Sequence, residues 1–211
     1  MSAESPAEIQ FENPERQRYA ATLGVWVFLS TEVMFFAGLI AAYTAYRTYF
    51  PTAFHLCSHH MERWVATFET AALLTSSLFM VLAIRATQLG RRAPAALFLF
   101  LTVLGGLAFL IMHGHEYWID WREGALPGRY YHLDEIKASG APMFYASYFF
   151  TTGLHSLHVI VGIVFLCLMI KRTIQGKFTP EKHNFLEGVG LYWHFVDMVW
   201  VFLYPLFYLV P

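Results

Sequence analysis

Five stretches of this sequence, 19–46, 64–84, 93–112, 143–170 and 188–210, are each long enough and apolar enough to cross a lipid bilayer. A spanning helix needs about 20 mostly apolar residues, and only a continuous helix satisfies its own backbone hydrogen bonds in hydrocarbon. Apolar residues occur all round each predicted helix, so the stretches read as spans and not as surface-lying amphipathic helices. The fold class that follows is an all-α integral membrane protein with five transmembrane helices. The composition agrees, with 57% of the 211 residues apolar and 14% charged, against about 25% charged in a soluble domain. The same figures exclude a disordered chain, and a net charge of −1 leaves no basic footprint for nucleic acid.

The Lys and Arg residues set the expected orientation. Nine fall on the side of the N-terminus (Arg16, Arg18, Arg85, Arg91, Arg92, Lys171, Arg172, Lys177, Lys182) and five on the other (Arg47, Arg63, Arg122, Arg129, Lys137). Residues 1–18 then form a cytoplasmic segment without the apolar core of a cleavable signal. Residues 19–211 form one transmembrane domain whose C-terminus lies outside. The stretch from His113 to Pro142 reads as a loop capping the outer side, and Tyr117, Trp118 and Trp121 at its start fit an interfacial aromatic belt. No inverted repeat of the transporter kind is evident. Cys57 and Cys167 lack metal or redox spacing.

An ionisable group inside the membrane costs at least about 2.5 kcal/mol on insertion scales, so each one asks for a role. Glu32 stands half-way along the first span. It is either a proton-exchanging group or a neutral carboxyl gluing two helices. Glu69, nearer the outer end of the second span, reads as an interfacial or helix-gluing residue that can approach water. On the fifth span Glu187, His194 and Asp197 share one face and must point into protein. On the fourth, His155 and His158 sit three residues apart. Such a pair ligates haem or metal in some helical bundles, but without Glu-x-x-His repeats the expectation is hydrogen bonding to carboxylates on neighbouring helices. His113 and His115, with Glu116, allow a metal site, although exposed interfacial histidines are the commoner case, and His55, His59 and His60 read as a solvated cluster open to adventitious metal. No metal site is assigned. Small residues at Gly38/Ala42, Ala37/Ala41 and Gly153/Gly162 are placed for close helix packing.

Five segments carry a resemblance: 30–36 (Ser-Thr-Glu-Val-Met-Phe-Phe), 73–77 (Leu-Leu-Thr-Ser-Ser), 115–118 (His-Glu-Tyr-Trp), 152–162 (Thr-Gly-Leu-His-Ser-Leu-His-Val-Ile-Val-Gly) and 192–200 (Tyr-Trp-His-Phe-Val-Asp-Met-Val-Trp). In these the chain resembles subunit III of the haem–copper respiratory oxidases over nearly its whole length, in the short five-helix bacterial form. The resemblance implies two helix groups forming a V-shaped cleft that holds phospholipid. It implies no haem or copper in this chain, since the redox centres belong to subunits I and II, and contact mainly with subunit I. The expected function is that of an accessory, non-catalytic subunit of a proton-pumping cytochrome c oxidase in the bacterial cytoplasmic membrane, supporting proton uptake and resisting inactivation. The electron donor, cytochrome c or quinol, is left open. A quinol oxidase subunit III and a nitric oxide reductase accessory protein are the alternatives within the family. Outside it, the residues alone also allow an independent haem or metal enzyme using His155, His158 and His194, or a proton channel through the Glu32 region. By the resemblance, Glu32 matches the family's buried, carbodiimide-reactive glutamate. His155, His158, Glu187, His194 and Asp197 match its interhelical polar network, and Arg172 matches a basic residue placed near a lipid phosphate. Glu69, where many members carry Asn, and the His113/His115 pair depart from the pattern.

Overall fold

The computed structural model describes residues 14–133, 136–179 and 183–209. Six α-helices follow one another: α1 (Pro14–Tyr49), α2 (Pro51–His60), α3 (Arg63–Gln88), α4 (Arg92–Glu123), α5 (Ala141–Ile174) and α6 (Asn184–Tyr204), the last continued by a π-helical turn, Pro205–Leu209. Five of these are long and apolar enough to cross a membrane, and α2 is a short helix between the first two of them. Among the described residues there is no strand beyond one isolated bridge between Ala125 and Tyr131. Most of the expected 1–18 segment lies outside the described residues.

The helix ends follow from local chemistry. Pro51, which has no N–H to satisfy, opens α2 one residue after the last turn of α1. Gly124 stops α4 in the left-handed conformation at φ 82°, its N–H returning to the carbonyls of Asp120 and Trp121. Gly140, at φ 110°, precedes α5, and a Cβ there would come within 2.6 Å of the Phe50 ring, so the corner between α1 and α2 seats against the start of α5.

One boundary differs markedly from the expectation. The loop from His113 to Pro142 does not begin at His113: α4 runs on to Glu123, and only residues 124–140 connect it to α5. Hydropathy falls after Met112 because polar residues follow, but three of them, His113, Glu116 and Asp120, recur at helical spacing and are all buried. They face the bundle while Ile111, Trp118 and Trp121 face outward. A polar stripe turned into protein keeps the helix going where an apolarity count ends it.

Helices α3 to α6 pack against one another, α3 on α4 most extensively, and α1 lies along α5 and α6. The α3–α4 approach needs Gly105, where a Cβ would stand 2.6 Å from the Ser76 Cβ. Gly106 and Gly162 clear space for Trp193, which a Cβ would meet at 2.7 Å and 2.8 Å respectively. Gly38, Ala37, Ala41 and Ala42 do not serve the packing role expected of them: all four are exposed, on the outer face of α1. At the far end, Tyr43, Phe54, Phe144 and Phe207 interlock with ring centroids 4.7–6.2 Å apart, joining α1, α2, α5 and the π turn. Along its length α1 remains largely bare, with Met34 77% exposed.

Candidate functional site

The intramembrane polar residues separate into distinct groups. Glu32 of α1 meets His158 of α5, with Oε2 and Nε2 3.1 Å apart. The other ring nitrogen, Nδ1, lies 2.8 Å from the Leu154 carbonyl and donates to it. A carbonyl only accepts, so Nδ1 carries a proton and Nε2 is the atom that faces the carboxyl. The hydroxyl of Tyr192 donates to the His158 carbonyl at 3.0 Å, tying α6 to the same point. Both side chains are partly accessible, at 17% for His158 and 19% for Glu32.

His155, one turn earlier on α5, takes a different course. It is fully buried, stacked at 29° on Trp200 and edge-on to Phe109, without a hydrogen-bond partner for either ring nitrogen among the described residues. The two histidines therefore share no ligand position, and the expected bond to a carboxylate is present for His158 only.

The acidic and imidazole residues of α6 are spread along its length. Glu187, in the first turn, accepts from Gln88 at 3.2 Å and sits 3.0 Å from His183 Nε2. His194 Nδ1 bonds to the Ser77 hydroxyl of α3, and Trp193 Nε1 donates to Ser76 at 3.1 Å. Asp197 is buried on the same side. Ten residues, about 15 Å of helix, separate Glu187 from Asp197, so they share a face without sharing a site.

The tightest cluster contains residues that the sequence pattern assigned elsewhere. Glu69 of α3 does not approach water, having no exposed surface at all. His113 of α4 is 2% exposed, whereas His115, two residues on, points outward. The expected exposed pair is therefore split by helix geometry, since residues two apart face different ways. His113 Nδ1 lies 3.5 Å from Glu69 Oε1 and 3.6 Å from Glu116 Oε2. Tyr208 donates to Glu116 Oε2 at 2.8 Å and meets the Tyr148 hydroxyl at 3.0 Å. Phe109, Trp200 and Tyr117 surround the imidazole with centroids 4.6–5.4 Å away. Extending the third span along the 113/116/120 spacing would have put His113 and Glu116 on one inward face, while their meeting with Glu69 comes from the packing of α3 on α4.

Outside the spans, α2 carries His55 and His59 with rings 4.6 Å apart, and Arg63 donates to His59 Nδ1 at 2.7 Å. Lost solvation, then the positive charges of Arg63 and His55, hold the His59 imidazole below its ordinary value. His60 faces Glu123 of α4 at 3.1 Å. On the buried side of α2, burial pushes the Cys57 thiol up to about 12. At the opposite end of the bundle Arg172, in the last turn of α5, lies 5.2 Å over the Phe185 ring, with its backbone carbonyl accepting from Lys177. Arg92 packs beside Gly176 there.

Comparison with known proteins places the chain in a family. Residues 8–210 match the family model described as cytochrome c oxidase subunit III. A protein of Nocardia farcinica named "Probable cytochrome c oxidase subunit 3" is 33% identical over 190 residues, covering 90% of this chain and 87% of the relative. The cytochrome c oxidase subunit 3 of Corynebacterium diphtheriae is 32% identical over 192 residues, with coverage of 90% and 87%. That of Salmo salar is 32% identical over 193 residues, covering 88% of this chain and 67% of the relative.

Proposed function

Because the chain belongs to the cytochrome c oxidase subunit III family, we propose that it is the accessory, non-catalytic subunit of a proton-pumping terminal oxidase that passes electrons from cytochrome c to oxygen. The family is part of an oxidoreductase complex, and a member works among other oxidase subunits. The match over residues 8–210 is the observation that carries the reading. In it, subunit I is the main partner and subunit II the second, and both haem and copper reside in them. The chain stabilises subunit I, supports proton uptake and holds phospholipid in a cleft between helix groups. The membrane is the bacterial cytoplasmic one, with the N-terminus inside, as the excess of Lys and Arg on that side suggests.

The side-chain arrangement suits such a role. A carboxyl–imidazole pair, Glu32 and His158, sits at a partly accessible point between α1 and α5, where protons can reach it. The exposed apolar length of α1 offers surface to lipid or a larger subunit. Arg85, Arg91, Lys171 and Arg172 gather at one end, where anionic headgroups are attracted by about 1 kcal/mol per basic residue.

The test compares the purified oxidase with and without this chain during sustained oxygen reduction. With the chain absent, the initial rate persists while activity decays several-fold faster per turnover. Equal catalytic lifetimes for the two preparations contradict the proposal.

A further inference from the structure

The Glu69–His113–Glu116 cluster has no place in the function just described, and its geometry is unlike that of a hydrogen-bonded network. All three side chains are at least nine-tenths buried, at 0%, 2% and 3% exposure. Both oxygens of Glu69, both ring nitrogens of His113 and Oε1 of Glu116 have no hydrogen-bond partner among the described residues. The imidazole Nδ1 stands 3.5 Å and 3.6 Å from the two carboxylate oxygens. A hydrogen bond between such groups spans roughly 2.7–3.2 Å. The edge of a tetrahedron with metal bonds of about 2.0–2.1 Å is ~3.4 Å. The observed separations fit the second figure better, and one ligand atom from each residue can be chosen so that all three lie within 4.8 Å of one another.

We propose that Glu69, His113 and Glu116 form a buried site for one divalent cation of the zinc type. The charge balance points the same way. As metal ligands, two carboxylates and a neutral imidazole would together carry −2, which a dication neutralises. One nitrogen and two oxygens make a borderline ligand set suited to zinc and its neighbours in the first transition row. Three protein ligands leave a fourth position. The Tyr208 hydroxyl, bonded to Glu116 Oε2 at 2.8 Å and continued to Tyr148, is the outer-shell group that orients this ligand. The ligands come from α3 and α4, and the orienting tyrosine from the turn after α6, so the ion clamps three elements together. The exposed His55/His59 pair on α2 has no buried ligand partner among the described residues and carries no comparable argument.

The experiment uses the assembled oxidase, equilibrated with Zn2+, passed through a weak chelating column and assayed for zinc by mass spectrometry beside H113Q, E69Q and Y208F preparations. The wild type retains one more zinc per complex than H113Q or E69Q. Y208F, which spares all three ligands, binds zinc about 10–100-fold more weakly, the usual effect of losing an outer-shell partner. Should the ligand variants not assemble, X-ray absorption at the zinc edge on the wild type decides. A shell of one nitrogen and oxygen neighbours near 2.0 Å supports the site. A wild type that retains no zinc, or as much as an assembled H113Q, overturns it, and so does a zinc shell containing sulfur.

Discussion

Cys57 offers a test of a single buried side chain. It has no exposed surface, and burial moves its thiol from the ordinary value near 9 up to about 12. A folded value above the unfolded one means that the neutral thiol stabilises the fold fully below about pH 9, and that this contribution is lost as pH rises toward 12. Only the thiolate reacts. Cys57 should therefore resist iodoacetamide at pH 8 in the folded complex and react once it is denatured, as peptide mass spectrometry will report; rapid labelling of the native protein contradicts its burial. Glu32 makes the second test at this scale. Glu32→Gln keeps an acceptor facing His158 and leaves the initial electron-transfer rate of the assembled oxidase largely unchanged, measured by oxygen uptake. A rate near zero in a normally assembled complex contradicts that. Glu32 could be read from the sequence as an intramembrane carboxyl, because a lone charge among apolar residues stands out. Its partner could not, since His158 lies 126 positions away and only the packing of α1 on α5 brings them together.

Helix positions were legible to different degrees, for a physical reason. Where apolar residues end at a basic cluster, as at Arg85 or Lys171, hydropathy and helix nearly coincide. Where a helix carries polar residues on its inner face, as α4 does at His113, Glu116 and Asp120, apolarity stops eleven residues before the helix does. The same limit hid the Glu69–His113–Glu116 cluster. Small residues misled in another way. The Gly38 and Ala42 spacing was right for close packing, yet the glycines that let helices meet are Gly105, Gly106, Gly162 and Gly190. Spacing marks a smooth face and does not say whether anything covers it. Gly162→Leu must displace the Trp193 ring, costing about 1–3 kcal/mol or more by overpacking. Thermal unfolding of the chain itself in detergent should show a clear drop in midpoint, while Gly38→Leu, with no other atom of the chain within 4 Å of a Cβ, should show almost none. Equal effects at the two positions contradict the packing described.

At the scale of the whole molecule, α3 to α6 form the packed body, and α1 is held on α5 and α6 by the Glu32–His158 contact and the aromatic interlock around Tyr43. The end rich in Arg and Lys faces anionic headgroups in the proposed orientation, and Arg172→Ala should lower the amount of anionic phospholipid retained by the complex in native mass spectrometry. Unchanged lipid content contradicts the assignment of that residue. The low charge content of the chain suits a scaffold in contact with lipid and with a larger partner along much of its surface. The most direct test of that account is purification of the tagged chain from its native membranes in mild detergent, with an optical spectrum and an oxygen-uptake assay on the product. Recovery of haem-bearing subunits and oxygen reduction in the complex, and no haem absorption from the chain when separated from them, is the predicted result. A stable chain that emerges alone, or one that binds stoichiometric haem by itself, contradicts it.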